Sequence, residues 1–228
     1  MIVDVRKPIV PGLGTGIYTI SEAARFLGVS TRKARGWADG YCHVRSDGAH
    51  VSEPVLERDE LDRSLLTFHE LIELFFVREL VKAGVPLPDI RHAAARLRDE
   101  WGTPYPVARD RLFTDGRQIL VESGEHYRNV VRRQQVFAFA EQFFKDMDLD
   151  DELMAARWWA LGRDRLVVLD PDRSFGAPID IRSGIRTDII YGAYKTDQDV
   201  NAVVQWYEIT EEAVRDAIEF EERWLKAA

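Results

Sequence analysis

The 228-residue chain has a single cysteine, Cys42. A lone thiol excludes an intrachain disulfide framework, so the fold depends on its core. No apolar run approaches the roughly 18 residues that a membrane span requires. The opening MIVDVRKPIVPGLGTG has no signal-peptide pattern. A cytoplasmic protein without a membrane partner is the simplest expectation. The segment GLGTG at 12–16 lacks the Lys-Ser/Thr of a phosphate-cradling loop, and no clear strand precedes it, so it reads as a flexible arm. Cys42, His43 and His50 fall short of the four closely paired ligands of a zinc site. The local sequence suggests no Ser-His-Asp or Cys-His arrangement. The acids Asp148, Asp150, Asp151 and Glu152, and the pair Asp170 and Asp172, are neighbours in turn-like stretches. That reads as solvated loop rather than as a two-metal nuclease centre. No enzyme activity, metal or cofactor is therefore expected.

What is present supports a substantial core. Hydrophobic residues make up 46%, with six Trp and eleven Phe. The net charge is −8 but unevenly spread. Residues 1–50 carry seven Lys/Arg against four Asp/Glu, whereas residues 165–228 carry eight against thirteen. The amino end can approach phosphates and the carboxyl end would be repelled.

Residues 18–41 read YTISEAARFLGVSTRKARGWADGY and hold the densest local signal. Ile20, Ala23, Ala24 and Leu27 follow the spacing of one helical face, and Ala34, Trp37, Ala38 and Tyr41 repeat it. Thr19 and Glu22 have capping-box spacing, Gly28 can end the first helix, and Ser30 can cap the second. Packing the apolar faces together leaves Arg32, Lys33 and Arg35 outside, giving a helix-turn-helix with a DNA-reading surface. Arg suits bidentate contact with guanine and Lys suits phosphate. The plainer reading is a solvated cationic face. Thr31 can donate to a phosphate near the helix start, while Trp37 is expected in the core. Asp47-Gly48 is a hairpin signal at the position of a wing. Tyr18, His43 and Arg45 are candidates for DNA-backbone contact.

A second capping box, Thr67 and Glu70, opens FHELIELFFVRELVKAG, which stops at Gly84. The apolar residues of this run cover more than one face, so the helix needs cover from several sides. A second subunit and the rest of this chain are equal candidates to supply it. A further helix follows in VPLPDIRHAAARLRDEWG. Residues 104–134 read as mixed, with a turn at Asp115-Gly116, and FAFAEQFFKDMD reads as helical. ARWWALGRDRLVVLDPD suggests two strands around Gly162-Arg163-Asp164. Near the carboxyl end, Val200, Val203, Val204 and Tyr207 share one helical face, and Ala213, Ala217, Phe220 and Trp224 share the next. Thr210 is the expected cap between them. The outer face of this unit carries Glu211, Glu212, Asp216, Glu219 and Glu222, which suits a protein-facing or structural role. The fold class that follows is mainly α with small β elements. It comprises a winged helix-turn-helix at 1–66, a helical dimerisation or support region at 67–125, a mixed α/β linking region at 126–173, and a helical, helix-turn-helix-like domain at 174–228.

Residues 18–101 resemble the MerR-type winged helix-turn-helix domain, through YTISEAARFLGVSTRKARGW, CHVRSDGAHV and LTFHELIELFFVRELVKAGVPLPDIRHAAARL. Gly36-Trp37 departs from that pattern, which has a bulkier pair after the arginine, and should loosen the middle of the recognition helix. The long coiled coil and effector end of that family are not evident. Residues 174–224 resemble the small helical domain of VapB-class antitoxins, through the Gly-x-Pro-Ile step at 176–179, the Gly-x-Arg step at 184–186 and a closing helix-turn-helix at 199–224. Both modules in this order resemble an antitoxin subgroup partnered by PIN-like ribonucleases. The resemblance implies a protein that silences a cognate PIN-like toxin encoded beside it. It also implies a homodimer that binds palindromic operator DNA and represses its own operon. Such toxins cut RNA with clustered carboxylates and a divalent metal, and an antitoxin blocks them sterically or with a basic side chain. Arg182 and Arg186 lie in the matched region and are candidates for toxin contact. The plainer reading is that they brace the local fold through Asp180 or Asp188. The alternative function is a MerR-like one-component transcription regulator responding to a small ligand.

Overall fold

The computed structural model describes residues 14–45, 48–58, 63–108 and 144–225. Among them the protein is mainly α with small β elements. Strand β1 (Tyr18–Thr19) leads into helix α1 (Ile20–Leu27), and a short turn connects it to α2 (Thr31–Ala38). Thr19 Oγ1 accepts the Glu22 N–H at 3.1 Å, and the Glu22 carboxylate accepts the Thr19 N–H at 2.8 Å, completing the capping box. Gly28 ends α1 in the left-handed region, and Ser30 Oγ caps α2 through the Lys33 N–H. An antiparallel hairpin of β2 (Tyr41–Arg45) and β3 (Gly48–Ser52) follows. Next, β4 (Leu65–Leu66) pairs back with β1 and hands the chain to α3 (Phe68–Lys82), which the Thr67–Glu70 capping box opens. Helix α4 (Leu87–Trp101) has Pro88 in its first turn, where the missing N–H costs nothing.

A four-stranded antiparallel sheet runs in sequence order: β5 (Met147–Leu149), β6 (Ala155–Trp159), β7 (Val167–Leu169) and β8 (Pro178–Asp180). Strands β6 and β7 are the pair that the sequence pattern places around Gly162-Arg163-Asp164. Strand β5 claims Met147 and Asp148, where FAFAEQFFKDMD reads as helix. The rest of that expected helix up to 143, and the expected turn at Asp115-Gly116, lie outside the described residues. Two expected divisions do not coincide with structural ones. β8 completes the sheet from beyond residue 173, and α3, beyond residue 66, packs on α1 and α2.

Helix α3 is the centre of the main core. Phe68, Leu71, Ile72, Leu74, Phe76 and Val77 are buried together with the inner faces of α1, α2 and α4. On the sheet side, Trp158 meets Phe75 edge-on with ring centres 4.6 Å apart. The cover that so wide an apolar arc needs therefore comes from this chain, and burying α3 requires no second subunit.

Three helices close the chain: α5 (Thr187–Asp197), α6 (Val200–Tyr207) and α7 (Glu211–Leu225). The sequence pattern does not anticipate α5. Thr210 caps α7 through the Ala213 N–H, as its position predicts. Ile190, Val203, Ala213, Val214 and Ala217 form a small second core with Leu166. Phe220 of α7 leaves that core for the main one and packs against Phe26 with ring centres 5.9 Å apart. Asp216 is a correction to the outer-face reading of α7: it is buried and accepts the Leu166 N–H at 2.7 Å and the Arg165 guanidinium at 2.7 Å. The rotation that buries Ala213, Ala217 and Phe220 carries position 216 inward with them, where a backbone N–H needs an acceptor. No helix among the described residues is long and apolar enough to cross a membrane.

Candidate nucleic-acid interface

Helix α2 turns Ala34, Gly36, Trp37 and Ala38 inward and leaves Thr31, Arg32, Lys33 and Arg35 exposed. Arg32 and Arg35 are three positions apart and share one face. Among the described residues, neither guanidinium has an ion-pair partner. The Lys33 ammonium lies 5.2 Å from the Trp37 ring centre, one helical turn along. This contact orients the charge without neutralising it. The result is a short cationic ridge on a capped helix, able to meet phosphates and guanine edges.

Gly36 has a structural reason that its helical position hides. A Cβ there would lie 1.9 Å from Tyr41 Cζ and within 2.4 Å of two further ring atoms. The Tyr41 ring fills the space a side chain would occupy, and its hydroxyl donates to the Lys33 carbonyl at 3.4 Å, a long contact. The departure at Gly36-Trp37 thus serves a close approach, and α2 runs unbroken across it.

Two arginines that the sequence pattern does not single out hold this helix-turn-helix in place. Arg58 is buried, donates to Asp39 at the carboxyl end of α2 at 2.6 Å and to Glu70 in the first turn of α3 at 3.1 Å, and also donates to the Leu65 carbonyl. Arg78 of α3 donates to the Leu27 carbonyl at the end of α1 at 3.3 Å and lies 3.7 Å over the Phe75 ring. Burial pushes its pKa down, opposed by the adjacent Glu79. Only the fold reveals the hydrogen bonds to Asp39, Glu70 and Leu27, because each joins separate elements.

Tyr18 is a correction to the DNA-contact set. Its side chain is 2% exposed, and its hydroxyl donates to the Gly176 carbonyl at 2.7 Å. Burial, with Glu22 and Asp170 nearby, pushes the phenol far above its usual range. No phosphate can reach it. Gly176 has φ 83°, and a Cβ on it would lie 2.3 Å from that hydroxyl oxygen. Here the glycine of the Gly-x-Pro-Ile step permits the approach. His43 and Arg45 occupy backbone positions on β2, and their side chains lie outside the described residues. Arg186 donates both of its hydrogen bonds to Asp188, at 3.0 and 2.7 Å, and Arg182 reaches Glu212 at 3.4 Å. Both arginines are exposed, and their present contacts are local braces.

The helix-turn-helix and the carboxyl-terminal helices share a seam. Glu221 of α7 is buried between Arg25 of α1 and Thr187 of α5 and accepts from both. The backbone of the amino arm joins the same seam, with the Ile17 N–H donating to the Phe175 carbonyl at 2.9 Å. Helix α3 itself carries a second buried acid. Glu73 Oε1 accepts the N–H groups of Val107 and Ala108, at 2.6 and 3.0 Å. Burial pushes this carboxyl up to about 8 despite those two bonds and Arg98. Burial also lowers His69, whose Nε2 lies 3.0 Å from the Ala155 carbonyl.

A cleft of about 390 Å³ opens beside the end of α2, walled by Asp39, Glu53, Arg58, Arg98 and Asp99 among others. Among the described residues, no group of three or more His, Cys, Asp and Glu side chains is placed to share a cation.

Residues 16–94 match the family described as "Putative DNA-binding HTH domain". The chain is 29% identical over 223 residues to "Putative antitoxin VapB45" of Mycobacterium tuberculosis (strain ATCC 25618 / H37Rv), a match covering 89% of this chain and 92% of that protein. The crystal structure of Rv2018 from Mycobacterium tuberculosis is similar, with a TM-score of 0.66, 25% identity and coverage of 88% of this chain and 96% of that one.

Proposed function

We propose that this protein is a non-catalytic, cytoplasmic antitoxin that neutralises a PIN-like ribonuclease encoded beside it and, as a homodimer, represses its own operon by binding operator DNA through α2. One observation carries the DNA half. Arg32 and Arg35 stand on one exposed face of a capped helix, without an ion-pair partner among the described residues, in a chain of net charge −8. An anionic protein that keeps guanidinium groups unpaired in this way has a use for them outside itself. Thr31, Arg32, Lys33 and Arg35 form the contact set, and the β2–β3 hairpin acts as the wing carrying His43 and Arg45. The match of residues 16–94 supports this half, and the likeness to a protein named as an antitoxin supports the other.

The test uses the full chain, DNA from upstream of its own operon, and the product of the adjacent open reading frame. Operator affinity should fall steeply between roughly 50 and 200 mM salt, by about 0.9 in log–log slope for each neutralised phosphate. The adjacent gene product should form a stable complex in which its RNA cleavage stops. Weak, salt-insensitive DNA binding would remove the operator half, and lack of a complex would remove the antitoxin half.

A second reading is a one-component regulator responding to a small, charged ligand, for which the open, charge-lined cleft beside α2 is the candidate site. A metabolite that changes operator affinity, with no protein complex formed, would favour it.

A further inference from the structure

Of the tryptophans whose side chains are described, Trp37 and Trp158 are buried, Trp101 and Trp159 are half-buried, and Trp206 on α6 stands 58% exposed. Trp159 donates its indole N–H to Asp148 at 3.1 Å. Trp206 has no hydrogen-bond or ring partner among the described residues. Large exposed aromatics carry a solubility penalty and are concentrated where a partner buries them.

The surroundings of Trp206 state what that partner must look like. From Thr196 to Val214 the chain holds five carboxylates, Asp197, Asp199, Glu208, Glu211 and Glu212, and no Lys, Arg or His. Arg215 and Arg182 pair with Glu211 and Glu212, and the Asp199 carboxylate caps α6 by accepting the Asn201 and Ala202 N–H groups. Asp197 and Glu208 are exposed and have no cationic partner among the described residues. Glu208 is also conformationally costly. It ends α6 at φ 53°, where glycine would fit without strain. A carboxylate kept at such a position points to an external use for its charge. Gln205 and Glu208, close to Trp206 in the chain, are exposed as well, so a polar and an anionic group stand near the indole.

We infer that α6 is the element that docks on the toxin, with Trp206 as its anchor, and that the surface it meets is the toxin's cationic RNA-binding groove. The inference rests on the antitoxin reading above. A ribonuclease must present positive charge along its substrate backbone and flat apolar contacts to the bases. Glu208 and Asp197 stand in for phosphates there, and the Trp206 indole stands in for a stacked base. Occupying the groove excludes RNA, so inhibition does not require Arg182 or Arg186 to enter the catalytic centre.

The experiment titrates the purified full chain onto the adjacent gene product, measured by calorimetry. Trp206→Ala should weaken the complex by about 30-fold or more, the signature of a hot spot. Glu208→Lys should weaken it by about tenfold. Glu208→Gly should also weaken it while melting no lower than the wild-type chain, which separates a binding role from a structural one. Glu152→Lys, an exposed acid elsewhere, should change nothing. A non-cleavable 2′-O-methyl RNA oligonucleotide should compete with the wild-type chain. If the wild-type chain binds and all three α6 variants bind equally well, the docking site lies elsewhere and the antitoxin reading stands. If RNA and antitoxin bind together, the groove assignment is wrong. If Trp206→Ala alters only self-association, the indole is a contact between copies of this chain and the inference fails. If the wild-type chain does not bind the adjacent gene product, the antitoxin reading fails and takes this inference with it.

Discussion

The Arg25 guanidinium on α1 donates to the Glu221 carboxylate on α7 at 2.9 Å, across 196 positions of sequence. The other carboxylate oxygen accepts from Thr187 at 2.7 Å. With Phe26 on Phe220 and Tyr18 on Gly176, this pair makes the helix-turn-helix and the carboxyl-terminal helices one packed body.

Removing the carboxylate tests that seam. Glu221→Ala leaves the guanidinium and the Thr187 hydroxyl without their acceptor at a buried site. The expected loss is about 2 kcal/mol, discounted because Arg25 is partly exposed. It should appear as a lower urea midpoint at unchanged slope. A wild-type midpoint would mean the seam contributes little to stability.

Glu73 gives the fold a pH dependence of predictable sign. Its folded-state value of about 8 lies above the roughly 4.3 of an exposed glutamate. Between those values the native state holds a proton that the unfolded chain releases. The associated stabilisation is complete below the unfolded value and is lost as pH rises through about 8. In Glu73→Gln, a single amide oxygen can still accept both the Val107 and Ala108 N–H groups, which already share Oε1. Urea midpoints at about pH 6 and 9 should show the wild-type chain losing stability with pH and the variant losing less.

Operator binding should distinguish Tyr18 from the α2 cations. Arg32→Ala and Arg35→Ala should each weaken specific binding by about 1–3 kcal/mol with little change in melting temperature. Tyr18→Phe should do the reverse, costing about 1 kcal/mol of stability through the lost bond to Gly176 and leaving affinity unchanged. Unaltered operator affinity in the Arg32/Arg35 double variant would remove α2 from the interface.

Gly36→Ala should destabilise, although alanine is intrinsically the better helix former by about 1 kcal/mol. The added methyl collides with the Tyr41 ring, and the net cost should be about 1–3 kcal/mol. Pairing it with Tyr41→Ala should remove the collision and recover the propensity gain. Thermal melts of the two single variants and the double variant give the coupling directly.

What was legible in the sequence was the local chemistry. Thr19 with Glu22, Thr67 with Glu70, Gly28, Ser30 and Thr210 all act within a few residues, and all cap or end helices where their spacing places them. The exposed cations of α2 follow from the same spacing, since Ala34, Trp37 and Ala38 fix which way the helix faces. Helix α5 does not show in the pattern because its apolar residues, Ile189, Ile190, Tyr191, Ala193 and Tyr194, cluster without a single stripe, and only Ile190 among them is buried.

By itself the sequence determined the caps, the helical faces and the separation of positive from negative ends, because these depend on contacts three or four positions apart. Tertiary structure decided which polar residues would be withdrawn from solvent. Tyr18, Glu73, Asp216 and Glu221 look like surface residues in a linear pattern, yet each is buried against a partner between 34 and 196 positions away. A buried polar group is tolerated only where another element presents the matching donor or acceptor. That match exists only once the elements have packed.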